Sequence, residues 1–259
     1  MDLGIKGRKA IVCGSSRGLG KACAMALARE GCSVFINGLN EERLAAAAAE
    51  IRSKTGATVT LVQADINTEA GRAKLVAACP DADILVNNNA GPKPGKLEDW
   101  DHADWIYALE ANLLAAVFMI KALLPGMRAR KFGRIVNVTS AMVKSPSPTQ
   151  GLSTAARTGL TALCKSASRE AAVDNVTFNN LLPERIDTDR QVFMTERMMK
   201  AENITREEAR AKIAETIAAK RLGRPEEFGD ACAYLCSAQA GFISGQNLQL
   251  DGGSYRGLV

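Results

Sequence analysis

Arg8-Lys9-Ala10-Ile11-Val12-Cys13-Gly14-Ser15-Ser16-Arg17-Gly18-Leu19-Gly20, running on into Lys21-Ala22-Cys23-Ala24-Met25-Ala26-Leu27-Ala28-Arg29, is the stretch that decides the fold. The run 10–13 is short and apolar, as a buried strand is. Glycines then turn the chain, and a helical pattern starts at Gly18. Gly14 permits a tight turn, Gly18 lets the backbone approach a pyrophosphate, and Gly20 lets helix and strand pack closely. The helix start offers free N–H groups and a positive dipole end, which together attract an anion. Such glycines alone are a weak signal, because any tight strand-to-helix turn can use them. The strand–loop–helix context gives them weight.

Outward from this stretch, apolar strand runs alternate with helical patterns. Strands are expected at 10–13, 33–37, 58–63, 84–87, 133–138, 177–181 and 247–250. Helices are expected at 18–29, 41–54, 68–78, 103–130, 151–173 and 225–237. Asn40 before Glu41 and Glu42 is a good helix start: a side-chain acceptor, then acids at the positive end. Uninterrupted strands alternating with helices predict an α/β fold, a doubly wound parallel sheet covered on both faces. No repeat and no second domain is visible, so 1–259 reads as a single domain. The charged stretch 187–221 has a helical pattern and no strand signal, and is expected to form a small helical substrate lobe.

Composition narrows the function classes. The chain has 259 residues, 47% apolar content and a net charge of +5. Lys and Arg are scattered among Asp and Glu, which predicts a solvated surface and no nucleic-acid face. A mildly basic surface still attracts anionic cofactors and thioesters. The seven cysteines are an odd number without a CxxC pair, against a disulfide framework or a zinc knuckle. Cys232 and Cys236 share a helix face and are expected in the core. His102 is the lone histidine and marks a helix start, so no metal site is expected. No signal peptide and no apolar run near membrane-spanning length is seen, so a cytoplasmic location and no membrane partner are expected.

Gly14 to Gly20, Asn87-Asn88-Asn89-Ala90-Gly91, a strand leading to Ser140 and Asp251-Gly252-Gly253 together resemble the short-chain dehydrogenase/reductase family over nearly the whole chain. The resemblance implies a Rossmann fold and NAD(P) held by Gly14, Ser15, Ser16, Arg17, Gly18, Leu19 and Gly20. Cys13 stands where the family usually has Thr. Asp65 and Ile66 match the family position that contacts adenine, although Asp65 also fits a cap for the helix at Thr68. Asn88 and Ala90 fall beneath the cofactor in either register of the asparagine run: Asn87-Asn88 as the family pair, or Asn88-Asn89 after a one-residue insertion. Thr188 matches a residue that often touches the carboxamide, and Glu184 follows Pro183 where the family usually has Gly.

Cofactor choice is read at the end of the second strand, where an acid favours NAD and a cation favours NADP. Asn37-Gly38-Leu39 contains neither, and Leu39 stands where Arg is common in NADP-dependent relatives. Arg17 remains as a phosphate partner, so NADP is preferred over NAD.

The family's Tyr-x-x-x-Lys is missing from the sequence. Tyr107, Tyr234 and Tyr255 are followed four residues later by Ala111, Ala238 and Val259. By resemblance, Asn112 holds a water relay and Ser140 bonds the carbonyl, while Ser153 and Arg157 fall at the Tyr and Lys positions. A Ser hydroxyl is a far weaker acid than a Tyr beside a cation. Arg stays protonated, and its planar fork differs from an ammonium. Lys144 is a substitute proton donor or an ordinary solvent-facing lysine. Val143-Lys144-Ser145-Pro146, Ser153 to Arg157 and Gly252 to Leu258 resemble a divergent subgroup like the β-ketoacyl-carrier-protein reductases.

The expected function is a short-chain NAD(P)-dependent oxidoreductase with an altered catalytic site, 3-oxoacyl-carrier-protein reductase-like. Its small-molecule substrate would be a carbonyl or hydroxyl compound or an acyl thioester. A catalytically silent NAD(P)-binding sensor or oligomer subunit is the alternative. Family resemblance also implies a homo-oligomer, tetramer or dimer, joined through 103–130, 151–173 and the last strand. Leu113, Val117, Ile120 and Leu124 fit either that interface or the core.

Overall fold

The computed structural model describes residues 2–258; Met1 and Val259 lie outside the described residues. Seven strands form one sheet: β1 (Lys9–Val12), β2 (Ser33–Gly38), β3 (Val59–Gln63), β4 (Ile84–Asn87), β5 (Gly133–Val138), β6 (Val176–Pro183) and β7 (Gln246–Leu250). Their order is β3-β2-β1-β4-β5-β6-β7, and every pairing is parallel. The doubly wound sheet is therefore as the sequence predicts. The order reverses between β1 and β4, and the crevice at the carboxyl ends there is where open α/β sheets hold ligands.

Helices cover both faces. On one, α1 (Gly18–Arg29), α2 (Glu41–Thr55) and α9 (Pro225–Cys236) bury Leu27, Ile51 and Phe228 against Val12, Ile36 and Val86. On the other, α3 (Glu69–Ala78), α5 (Ala115–Ala129) and α6 (Gly151–Ala171) bury Leu75, Met119 and Leu160 against Ile11, Leu85 and Ile135. Cys232 and Cys236 are core residues, and all seven cysteines are free and buried. The stretch 187–221 carries α7 (Asp189–Glu202) and α8 (Arg206–Glu215) and adds nothing to the sheet.

Local chemistry sets the helix ends. Asn40 accepts a hydrogen bond from the Arg43 N–H at 2.8 Å and starts α2, while Gly56 closes it at φ +69°. Thr68 caps α3 by accepting from the Gly71 N–H at 3.0 Å. Asp65 is not that cap: its carboxylate accepts from the Asn67 N–H at 2.9 Å and shapes the preceding turn.

The expected helix 103–130 is interrupted. α4 (His102–Leu109) passes through a π-turn, Glu110–Leu114, into α5. His102 is indeed the first helical residue, behind an Asp101–Asp104 capping box. By length and composition alone, His102–Ala129 would pass for a membrane span. In the fold its inner face, Ala115, Met119, Leu123 and Met127, packs on the sheet. Ile120 is buried with it, while Leu113, Val117 and Leu124 are half-buried.

A row of asparagines crosses four strands. Asn87, Asn137, Asn180 and Asn247 are register partners on β4, β5, β6 and β7. Each amide nitrogen donates to the next side-chain oxygen: Asn87 to Asn137 at 2.9 Å, Asn137 to Asn180 at 3.0 Å, Asn180 to Asn247 at 2.8 Å. The first three are buried. Replacing Asn137 with Ala strands the Asn87 donor and the Asn180 acceptor away from water. At about 1–3 kcal/mol for each unmet group, the loss should be about 2–5 kcal/mol in urea unfolding. A loss well under 1 kcal/mol would show that the row contributes nothing on balance.

Candidate active site

The glycine loop joins β1 to α1. Gly18 sits at φ +56°, in the left-handed region. A Cβ on Gly20 would lie 2.3 Å from the Gly14 carbonyl oxygen, so only glycine lets helix and strand come this close. Arg17 precedes α1 without giving it a side-chain cap. Thr188 stands in the same relation to α7, and its Cβ lies 4.0 Å from where a Gly18 Cβ would be. Two uncapped helix starts thus converge on the loop, with their N–H groups free for an anion. That arrangement fits a dinucleotide pyrophosphate.

The predicted loop residues divide. Ser15 is fully buried: its hydroxyl donates to the Val12 carbonyl at 2.6 Å and accepts from the Asn37 N–H at 2.9 Å. Its backbone N–H is taken too, donating to the Asn37 carbonyl at 2.8 Å, so Ser15 shapes the loop and leaves no donor for a ligand. Ser16 and Arg17 face a cavity, and Leu19 is partly buried in α1. Asn37 turns inward and donates to the Val62 and Ala64 carbonyls at 3.1 and 2.9 Å, so its side chain braces the sheet. Leu39 points to solvent with 65% of its surface exposed.

Three consecutive asparagines do three jobs. Asn87 begins the row across the sheet. Asn88 donates to the Gly14 carbonyl at 3.0 Å and ties β4 to the glycine loop. Asn89 donates to the Asn67 side chain at 2.8 Å and to the Ala111 carbonyl at 3.0 Å. Ala90 offers its carbonyl to the Asn112 amide at 2.8 Å.

Asn112 lies within the π-turn, and its Oδ1 is buried with no partner. It lines a cavity of about 20 Å³ with Ile66, Asn88, Asn89, Val138 and Arg157. This is room for one water molecule. Arg157 is 9% exposed. Its Nε donates to Ser153 Oγ at 3.1 Å and its Nη1 to the Val138 carbonyl at 2.6 Å. Burial, with the Arg190 charge nearby, pushes its pKa down to about 10. No carboxylate pairs with it among the described residues.

Ser140 follows β5 and accepts from the Met142 N–H at 3.2 Å. The Val138 contact places the Ser153–Arg157 pair at the same end of β5 as Ser140. Lys144 is half-buried, and its ammonium lies 5.4 Å from the centre of the Tyr255 ring. The sequence offered no signal for that encounter, because Tyr255 arrives from the C-terminal tail. Nor did it show that a β5 carbonyl would anchor Arg157.

Comparisons with known proteins agree with this geometry. The family described as enoyl-(acyl carrier protein) reductase matches residues 14–255. The uncharacterized oxidoreductase YvaG of Bacillus subtilis is 32% identical, with 100% of both chains covered. The 3-oxoacyl-[acyl-carrier-protein] reductase FabG of Vibrio harveyi is 34% identical over 98% of this chain and 99% of its own. Among solved structures, L-sorbose reductase from Gluconobacter frateurii, complexed with NADPH and L-sorbose, superposes with a TM-score of 0.95 at 29% identity, covering 100% of each chain. By sheet order, glycine loop and a family match over almost its full length, the chain belongs to the short-chain dehydrogenase/reductases.

Proposed function

We propose that this protein is an NADP(H)-dependent reductase of a carbonyl or acyl-thioester substrate, working through hydroxyl donors in place of the Tyr–Lys couple. One observation carries the catalytic part: the bond from Arg157 Nε to Ser153 Oγ. A guanidinium can only donate, so the Ser153 oxygen is the acceptor and its O–H is left to point elsewhere. Ser140 is in the same state, accepting from Met142 and keeping its own O–H free. The cofactor reading is supported by the cradle at Gly18 and Thr188 and by the NADPH held in the sorbose reductase.

NADP(H), when bound, supplies the hydride to the substrate carbon. Gly18, Leu19 and Gly20 would hold its pyrophosphate through their backbone N–H groups, on a loop that Asn88 fixes, and Asp65 and Ile66 would lie at the adenine end. Ser140 and Ser153 donate hydrogen bonds to the substrate oxygen as negative charge develops there. Arg157 polarises Ser153 and adds a positive charge in a site of low dielectric constant. Asn112 holds a water between its Oδ1 and Arg157. With no acid of suitable pKa, the oxyanion takes its proton from that water and the solvent behind it.

NADPH oxidation over a panel of ketones and β-ketoacyl thioesters tests this. Ser153→Ala should lower kcat by about 10²-fold, the scale for one lost oxyanion donor. Ser153→Tyr combined with Arg157→Lys should raise ketone reduction by about tenfold or more if proton supply limits the wild type. Full activity in Ser153→Ala refutes the hydroxyl-donor account. Absence of turnover with every substrate, despite NADPH binding, would favour a silent binder.

Lys144 is committed to the Tyr255 ring, so we assign it a packing role at the mouth of the cleft. Lys144→Ala should leave kcat within about threefold, since a cation–π contact to the C-terminal tail packs the cleft mouth and delivers no proton. A collapse of kcat in that variant, with NADPH affinity kept, would make Lys144 the proton donor.

We also propose a homo-oligomer. Ile106, Tyr107 and Phe118 on α4 and α5, and Leu163 on α6, are each 41–48% exposed. Large apolar residues left exposed on neighbouring helices are candidates for an association surface. Light scattering at micromolar concentration should give a dimer or tetramer mass; a stable monomer contradicts the assignment.

A further inference from the structure

Asn89 stands at the small cavity that Asn112 and Arg157 also line, and both of its amide hydrogens are committed. They go to Asn67 Oδ1 at 2.8 Å and to the Ala111 carbonyl at 3.0 Å. Its Oδ1 accepts from the Ala90 N–H at 2.9 Å. Three segments therefore meet on one side chain: the turn after β3, the stretch after β4 and the π-turn ahead of α5. The π-turn makes room for the second of these bonds. In an α-helix the Ala115 N–H would bond the Ala111 carbonyl; here it bonds Glu110. The Asn89 amide meets the carbonyl so given up.

Both backbone groups that Asn89 holds bear on Asn112. Ala111 precedes it in the chain, and the Ala90 carbonyl accepts from its Nδ2 at 2.8 Å. A carbonyl can only accept, so the nitrogen end of the Asn112 amide faces Ala90. The oxygen end is thereby turned away from it and lies buried without a partner. Arg157, on the same cavity, can only donate. A water in this space of about 20 Å³ then has one favourable orientation. It donates to Asn112 Oδ1, accepts from Arg157 and keeps one O–H to pass on. An Asn112 amide turned over would present donors to a donor, and the water would lose that orientation.

We propose that Asn89 is a positioning residue for proton delivery: by holding Ala90 and Ala111 in place, it fixes which end of the Asn112 amide meets the water. This rests on the reductase function proposed above, in which that water supplies the proton. Asn89 acts through Asn112 and needs no contact with the reacting atoms. An alanine at this position would make none of the three side-chain bonds. An aspartate fills the same space and keeps the acceptor for Ala90. It loses both donors, however, and sets a carboxylate against the Asn67 and Ala111 oxygens.

Steady-state NADPH oxidation in light and heavy water, together with NMR of the asparagine side-chain amides in the full chain, tests the inference. Asn89→Ala and Asn89→Asp should each lower kcat by about tenfold, with KM and NADPH affinity kept within about twofold. The solvent isotope effect on kcat should rise in both, because proton delivery becomes the slower step. The Asn112 side-chain amide hydrogens should exchange with water about tenfold faster in both variants, as their bond to Ala90 loosens. Should Asn89→Ala prove unfolded in urea titration, Asn89→Asp carries the test, since it keeps the volume of the side chain. Wild-type kcat and wild-type Asn112 exchange in Asn89→Asp overturn the positioning role. Equal losses of kcat and NADPH affinity also overturn it, because they mark a general loosening of the cleft. A wild type that turns over no substrate overturns the reductase reading; unchanged Asn112 exchange in the variants overturns the positioning role whether or not that reading stands.

Discussion

A row of four asparagine amides holds the carboxyl half of the sheet in one register. Backbone ladders alone fix a parallel sheet only as well as its apolar faces do. A slip by one residue in β5 would carry Asn137 to the opposite face and leave buried amides without partners. The side-chain bonds run in one direction, from Asn87 through Asn137 and Asn180 to Asn247. Asn137 also donates to the Cys164 sulfur at 3.0 Å, which attaches α6 to the row. Since Ser153 and Arg157 sit on α6 and Ser140 follows β5, the polar groups of the cleft inherit their relative positions from this row.

Arg157 shows how a cation is kept in such an interior without a counter-ion. Burial of a charge is costly unless hydrogen bonds satisfy it. The Val138 carbonyl and the Ser153 hydroxyl take two of its five N–H groups. The side chain also lines the small cavity beside Asn112. An ammonium in the same place would have no planar fork with which to reach a strand carbonyl and a helix hydroxyl together. An arginine at this position therefore sets what the site can grip, while the site holds the same single positive charge that a lysine would bring.

Much of this was legible in the sequence, and the failures have physical causes. Strand and helix periodicity located every strand of the sheet to within about two residues. The glycine loop was readable because close approach and left-handed backbone leave a residue-type signature. The π-turn was not, because Glu110-Ala111-Asn112-Leu113-Leu114 is ordinary helix-forming sequence. Ser15 reads as a loop serine, yet folding turns it inward. The asparagine row spans 160 residues of chain, and only strand register brings its members together. Asp65 and Thr68 both fit a cap by type, and local geometry chose Thr68. Lys144 met Tyr255 through a tail whose path no periodicity encodes.

The cysteines have a use unrelated to chemistry at the cleft. All seven are free, buried and spread through both helical layers and the sheet. Burial holds the Cys13, Cys32 and Cys164 thiols at pKa values of about 12, so they stay protonated and inert while the fold is closed. A thiol reagent can reach them only through local or global opening. Cys23, Cys232 and Cys236 lie along the seam between α1 and α9, whereas Cys79 and Cys164 lie beneath the other layer. The molecule thus carries native probes from which the opening rates of its two faces can be timed separately, without an added label.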